Sequence, residues 1–330
     1  FIYVKDAKDI RITGLGAIDG SGRALREKFG DKARIRLLLA VNSSDLHFEG
    51  VMFRDPGSWN TQILLCRDVV LRNIKLMNDT ELSNTDGFDP DASRNLLIEN
   101  CFGYCSDDNV AVKTTGNSGY LGDAEKITVR GCVFLTKKSS LKVGTETRGT
   151  RMSGITFEDN DVLESDRGMA LYVSDGTALS DVRYLNNRFE RNHPDSKRMM
   201  FQFSVNARRK DSPIGSIRGV EIRNCSFRAP FPTGPAIKCP ARGDIEGIVF
   251  ENLTVGGKTR SGQDGTNTVT FMAMKATEEC KTYQPGLSVR LQADCPREFM
   301  DAVTHLVSTG TAFRVGAAGR ARIRDKGHFL

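Results

Sequence analysis

An all-β solenoid, a single-stranded right-handed parallel β-helix, is the fold predicted by this 330-residue sequence, and three observations predict it. A phrase of two short alternating strands around one small residue returns nine times. Successive copies start 23 to 38 residues apart, the length of one solenoid coil. The apolar period inside each copy is 2, whereas helical hairpin repeats require 3.6.

The phrases, in chain order, are IRITGLGAID, LHFEGVMFRD, VVLRNIKLMN, LLIENCFGYC, ITVRGCVFLT, ITFEDNDVLE, VRYLNNRFER, VEIRNCSFRA and IVFENLTVGG. Their small position holds Gly14, Gly50, Asn73, Asn100, Gly131, Asp159, Asn186, Asn224 and Asn252. Gly, Asn and Asp accept a left-handed backbone most cheaply, so a sharp one-residue bend is expected between the two strands of every coil. A lone coil cannot bury its apolar face, but coils stacked about 4.8 Å apart hide a continuous column of Val, Ile, Leu and Phe. Length alone favours two domains; the repeat instead predicts one elongated domain over residues 1–262. Residues 263–330 then form a C-terminal cap or tail. Within it, Thr268 to Met274 reads as a last strand, Pro296 to Val307 as a short amphipathic helix and Thr311 to Leu330 as a basic, glycine-containing tail.

Composition excludes several classes. The longest aliphatic run, Leu37 to Val41, is far short of the roughly 18 apolar residues of a membrane span. Recurring aliphatic and aromatic residues exclude disorder. The 47 Lys and Arg are scattered among 41 Asp and Glu, with no basic stripe for nucleic acid. Eight cysteines include no C-x-x-C pair, which argues against a cysteine metal site. Cys101, Cys132 and Cys225 follow the bend residue, in the slot that Ile74 and Leu253 fill elsewhere, and are expected as stacked buried thiols. Pairing of Cys101 with Cys105, or of Cys280 with Cys295, is the alternative in an oxidising compartment. The chain opens inside a strand-like run without an initiator Met, as a processed protein or a fragment would.

Outward side chains of stacked strands make a solenoid's binding face, so acids clustered on neighbouring coils matter most. Two such clusters lie one coil apart: Asn84-Thr85-Asp86-Gly87-Phe88-Asp89 and Ser106-Asp107-Asp108-Asn109-Val110-Ala111-Val112-Lys113. Carboxyls held close push their pKa values apart, leaving one protonated beside one ionised. That pairing suits cleavage of a glycosidic bond, in which one group protonates the leaving oxygen and another activates water. The competing reading is calcium binding or turn capping.

NTDGFD followed by DDNVAVK resembles the N-T-D-G-x-D and D-D-C-x-A-x-K signatures of family 28 glycoside hydrolases, the polygalacturonase family of pectin lyase-like β-helix enzymes. The likeness spans residues 1 to about 260, including GLGAIDGSG and the Gly57 to Asn60 stretch GSWN, which is similar to the family's S-x-S-W segment. It implies that residues 1–262 are catalytic, that Asp107 is the general acid, that Asp86 and Asp108 activate water, and that no cofactor or metal takes part. It also implies inversion at the anomeric carbon; a rung spacing near 5 Å would not have suggested that, since wide carboxyl gaps are the usual mark of inverting pairs. Asp89, Lys113, Glu146, Arg148 and Tyr172 are expected to bind substrate, a pectin-like polysaccharide or oligosaccharide.

Departures from the pattern bear on substrate more than on reaction. Asn109 replaces the cysteine of D-D-C, which removes a packing group only. Gly144-Thr145-Glu146 stands where many members carry Gly-His-Gly, and resembles the G-S-E segment of bacterial, often exo-acting members. Glu146 would hold a sugar hydroxyl or tune Asp107 by repulsion. Where the family shows R-I-K, Met169-Ala170-Leu171-Tyr172-Val173 has lost both cations, and Tyr172 offers a stacking ring and a hydroxyl instead. Lys113, Lys142, Arg148 and Arg167 are the candidates to compensate, against a reading as solvated surface charge.

His47 is expected to be structural and His193 an ordinary loop residue. The basic loop Ala207 to Asp211 would close one end of the groove over an acidic glycan, or simply be solvated. A hydrolase acting on a neutral or rhamnose-containing glycan is the first alternative, and a non-catalytic carbohydrate-binding or adhesin β-helix the second. A lyase would need a calcium cage and a basic proton acceptor, neither of which is evident. The family likeness implies a secreted or periplasmic address, with the cytoplasm as alternative; oligomeric state is not legible.

Overall fold

The computed structural model describes residues 1–193, 201–228, 236–239 and 244–255, together with backbone strands at 267–276, 288–291, 314–315, 323–324 and 328–329. The chain winds into a parallel β-helix whose coils each contribute three strands, one more than the repeated phrase contains. The first strands of the phrases, from Lys8–Thr13 through Ser44–Glu49, Arg67–Arg72 and onward to Asp244–Val255, stack in parallel register. The second strands, from Ala17–Asp19 to Ser226–Phe227, stack beside them. A third sheet of nine strands runs from Ile2–Lys5 to Ala236–Lys238 between consecutive phrases.

Register aligns one apolar side chain above another along the whole axis. Leu46, Val69, Leu96, Ile127, Ile155, Val182, Val220 and Ile248 form such a column, all of them buried. Aromatic rings extend it, with Phe157 stacked on Tyr184 at 5.0 Å and Phe189 on Phe227 at 4.4 Å.

Eight of the nine predicted bend residues have positive φ, from Gly14 through Asn73 and Asn100 to Asn224; the ninth, Asn252, falls inside the strand Asp244–Val255. A second left-handed column is not apparent from the repeated phrase. Asp9, Asp45, Asp68, Asn95, Lys126, Gly154, Asp181, Gly219 and Gly247, near the start of each first strand, are all left-handed. The ladder skips these positions, pairing Lys8 with Ser44 and then Ile10 with Leu46. Eight of the nine are Gly, Asn or Asp, so the signal was present, but the strand continuing through it hid the corner. Asn73 tests the bends: its φ of 53° predicts that Asn73→Gly is nearly neutral, whereas Asn73→Val costs about 1–2 kcal/mol in a urea unfolding titration.

Cys101, Cys132 and Cys225 are buried and unpaired, and Cys66 and Cys105 are free as well. Their slot also holds buried Asn160 and Asn187, so it is a polar ladder: Cys101 N–H donates to Cys132 Sγ, Cys132 N–H to Asn160 Oδ1 and Asn160 N–H to Asn187 Oδ1. Cys280 and Cys295, the predicted helix Pro296 to Val307 and part of the His193 loop lie outside the described residues. The strand expected at Thr268 to Met274 is present as Asn267–Ala276 and pairs antiparallel with Asp244–Val255.

One insertion breaks the regular winding. Between Ala17–Asp19 and Leu38–Val41 the chain forms the helix Gly22–Phe29 and a loop through Leu37. Buried Arg26 anchors it by donating to the carbonyls of Gly57 and Ser83.

Candidate active site

The third sheet and the corner preceding it carry the polar residues. Asp86 lies just before the strand Phe88–Asp91, and Asp107 and Asp108 just before Val110–Thr114 on the next coil. Phe88 pairs with Val110, which sets Asp86 level with Asp108. Main-chain bonds tie these corners: Gly87 N–H donates to the Asp108 carbonyl at 2.8 Å and Phe88 N–H to that of Asn109 at 2.8 Å. A Cβ on Gly87 would lie 2.4 Å from the Asn109 carbonyl oxygen, which no real side chain tolerates. The glycine of NTDGFD is therefore required by the closeness of adjacent coils. Thr85 shares a hydrogen bond with Ser106, 2.8 Å away on the next coil, and Asn84 donates to Asp107 at 3.3 Å.

Carboxylate oxygens of Asp86, Asp107 and Asp108 all lie within 4.8 Å of one another, Asp86 and Asp108 buried and Asp107 half-buried. Two ammonium groups neutralise the outer members. Lys113 Nζ sits 2.9 Å from Asp86 and 2.8 Å from Asp89; Lys142 Nζ sits 2.5 Å from Asp108. Asp108 also accepts the Ser139 N–H. A trio of acids could in principle ligate a cation, but with Lys113 and Lys142 already holding one oxygen each of Asp86 and Asp108, the charge that would attract a divalent ion is largely cancelled.

The pKa values separate as acid and base chemistry requires. Burial, then the charges of Asp108 and Asp86, push the Asp107 carboxyl up to about 7. Burial acts on Asp108 too, but Lys142, Lys113 and Arg167 outweigh it and hold that carboxyl below its ordinary value. Burial raises Asp86, opposed by Lys113 and reinforced by Asp108. Asp89 is raised well above the usual range by burial, despite Lys113.

The remaining expected site residues are spread unevenly. Asp89 is fully buried, which leaves it no surface to offer a sugar, and Lys113, at 3% exposure, is committed to the two acids. Both lie beneath Asp86, which Lys113 joins to Asp89. Glu146 is half-buried and accepts from Arg208 at 2.7 Å. Burial would raise its carboxyl, but Lys113 and Arg208 lower it. Asp107 is raised mainly by burial and by its two aspartate neighbours, so repulsion from Glu146 is not what tunes it. The Arg208 guanidinium also lies 3.8 Å from Asp175, and its backbone N–H donates to the Ser174 carbonyl, which ties the basic loop to the strand end beside it.

Tyr172 is half-buried and donates to Gln202, with Lys142 and Arg167 each 5.5 Å from its ring. Arg167 is buried between Asp166 and Ser139. Neither Lys142 nor Arg167 is solvated surface charge. Arg148 is exposed past the end of the strand, its backbone N–H bonded to the Thr114 carbonyl, and no contact joins its side chain to the acids. His47 pairs with Glu49 and His193 lies 3.6 Å from Glu164, both away from the acids. Asn109 does more than fill the cysteine's space: it donates to the carbonyls of Gly103 and Leu135 and accepts from Ser140.

Several site residues were missed as such. Asp91 is fully buried and accepts from Gln62, Thr115 Oγ1 and the Thr115 N–H. Trp59 lies under two cations, with Lys113 Nζ 3.6 Å and Arg36 Cζ 4.8 Å from its ring. Arg36 arrives on the inserted loop, and nothing in its immediate sequence marks it.

Fold and site together define a parallel β-helix protein with three carboxylates clustered where adjacent coils meet. Residues 1–193 match the family described as Glycosyl hydrolases family 28, and the chain belongs to that family. A probable polygalacturonase of Vitis vinifera is 27% identical over 184 residues, covering 53% of this chain and 37% of that protein. A family 28 exopolygalacturonase structure from Yersinia enterocolitica superimposes with a TM-score of 0.65 at 16% identity, over 75% of this chain and 53% of that one. The chain thus spans about half or less of these relatives' length. Residues 243–314 match a second family, Pyruvate formate lyase-like, beginning just ahead of the strand Asp244–Val255. An isethionate sulfite-lyase of Nitratidesulfovibrio vulgaris is 30% identical over 64 residues, 19% of this chain and 8% of that protein.

Proposed function

We propose that this chain hydrolyses glycosidic bonds of a pectin-like polysaccharide without a cofactor. The observation that carries the reading is the convergence of Asp86, Asp107 and Asp108 within 4.8 Å, with Asp107 raised to about 7 and Asp108 depressed. Asp107 protonates the leaving oxygen. Asp108, ionised beside Lys142, takes the proton of the attacking water, and Asp86 orients that water by accepting its second hydrogen. Lys113 and Asp89 position Asp86. Glu146 and Tyr172 bind the sugar, and residues 1–262 form the catalytic unit. The polygalacturonase names of the family 28 relatives support a galacturonan substrate, and a polymer of that kind fits a secreted or periplasmic address; among the described residues, no helix is long and apolar enough to cross a membrane. The pyruvate formate lyase-like match adds no activity to this reading.

Reducing-end release from a panel of galacturonan, rhamnogalacturonan and neutral galactan tests it. Release from at least one pectic polymer is expected, and none from any of them overturns the proposal. We further propose inversion, with water entering from the Asp86 and Asp108 side. Proton NMR of the first product should show the anomer opposite to the linkage cleaved; the same anomer would make one of these aspartates a nucleophile, as a separation under about 5.5 Å ordinarily implies.

A further inference from the structure

Loss of both cations at Ala170 and Tyr172 leaves open what recognises an acidic sugar. Most cations around the groove are already engaged: Lys113 by Asp86 and Asp89, Lys142 by Asp108, Arg167 by Asp166, Arg208 by Glu146, and Arg26 and Arg34 by Asp31. Arg36 differs. Among the described residues no carboxylate lies within ion-pair distance of it, and its buried Nε has no hydrogen-bond partner. Its guanidinium rests 4.8 Å from the Trp59 ring, on the coil before that of Asp86. A stacked guanidinium keeps its planar edge free for bidentate contact with a carboxylate, and the stacking spends little further entropy on binding. An arginine held partly out of water, feeling the more distant charges of Asp89, Asp91 and Asp86 but with its Nε donor unfilled, can still take an arriving anion.

We propose that Arg36, braced on Trp59, reads the carboxylate of a uronate residue bound on the N-terminal side of the three acids. The proposal rests on the reading of the groove as a polysaccharide site, and it makes the substrate acidic. The insertion between Asp19 and Leu38 is then a specificity element that delivers one cation to a groove whose other cations are spent.

Trp59 is the only tryptophan in the chain, so its fluorescence reports binding beside Arg36. In an Asp107→Asn background, a galacturonate hexamer and its carboxyl-reduced, neutral counterpart are titrated into the full chain. Arg36→Gln should raise the Kd for the acidic hexamer about 10- to 100-fold and leave that for the neutral one within about twofold. Arg36→Lys, which keeps the charge and loses the fork, should fall between the parent and Arg36→Gln for the acidic hexamer, and it serves as the test if Arg36→Gln does not fold. Equal affinity of parent and variant for the acidic hexamer, an equal loss for both hexamers, or no binding of the acidic hexamer to the parent would each overturn the proposal. Turnover is not needed for this readout, so a chain that binds uronate through Arg36 yet cleaves nothing would remove the proposed hydrolysis alone.

Discussion

Asp107→Asn should lower turnover of the best substrate by about 10²- to 10⁴-fold, the usual contribution of a positioned general acid. The amide has nearly the same shape but no proton to give the leaving oxygen. Loss of fold is separable from loss of chemistry by unfolding variant and parent across the pH range. The folded protein raises this carboxyl to about 7, so between its unfolded value near 3.9 and about 7 the native state holds a proton that the unfolded chain has released. Stability contributed at this position therefore falls as pH rises through that window and stays low above it. Asparagine removes the dependence, so the variant should equal the parent near pH 4 and be the more stable of the two at pH 8. In the parent, kcat should fall as pH rises through about 7, when Asp107 ionises, while the acidic limb belongs to Asp86 and Asp108 as a pair. Wild-type-like rates in Asp107→Asn would take this residue out of the mechanism.

Lys113→Met should be the most destabilising single change in the groove, by about 3–5 kcal/mol, because it strands buried carboxyls without their partner. Its ammonium lies 2.9 Å from Asp86 and 2.8 Å from Asp89, and none of the three has more than 4% of its side chain exposed. Methionine fills the space beneath Trp59, so the loss reports charge more than packing. The control is Lys113→Met with Asp89→Asn, which removes one of the two stranded carboxyls and should recover a substantial part of the loss. Urea unfolding of the single and double variants measures both. A single variant within about 1 kcal/mol of the parent, below the range for a broken buried pair, would mean that the acids are neutral without Lys113 and that burial alone governs Asp86 and Asp89.

The repeat was legible because each coil solves the same problem with local means. Val, Ile and Leu at period 2 face a column of their own kind, and Asn or Gly takes the left-handed backbone that other residues adopt at a cost, as at Asn100 and Gly131. The third strand was harder to see. Its outward positions hold Gln62, Asp89, Lys113 and Lys142, side chains that differ from coil to coil, so it carries no recurring phrase like that of the other two strands. For the same reason the two acidic clusters stood out, since four carboxyls on adjoining rungs have no local explanation. The burial of Lys113 and Asp89 against each other was not legible, because one sequence cannot say whether a charged residue faces water or another charge of opposite sign.

What the sequence determined by itself was everything that depends on near neighbours in the chain: coil length, bend positions, and which acids belong to adjoining turns. Tertiary structure alone decided which charges cancel, that Asp107 and Asp108 titrate in opposite directions, and that Arg36, brought in by an insertion, reaches Trp59. The physical reason is one of range. Backbone preference and apolar period act within a few residues, whereas desolvation and Coulomb energy depend on distances across the coils, which the chain acquires only when its turns have stacked.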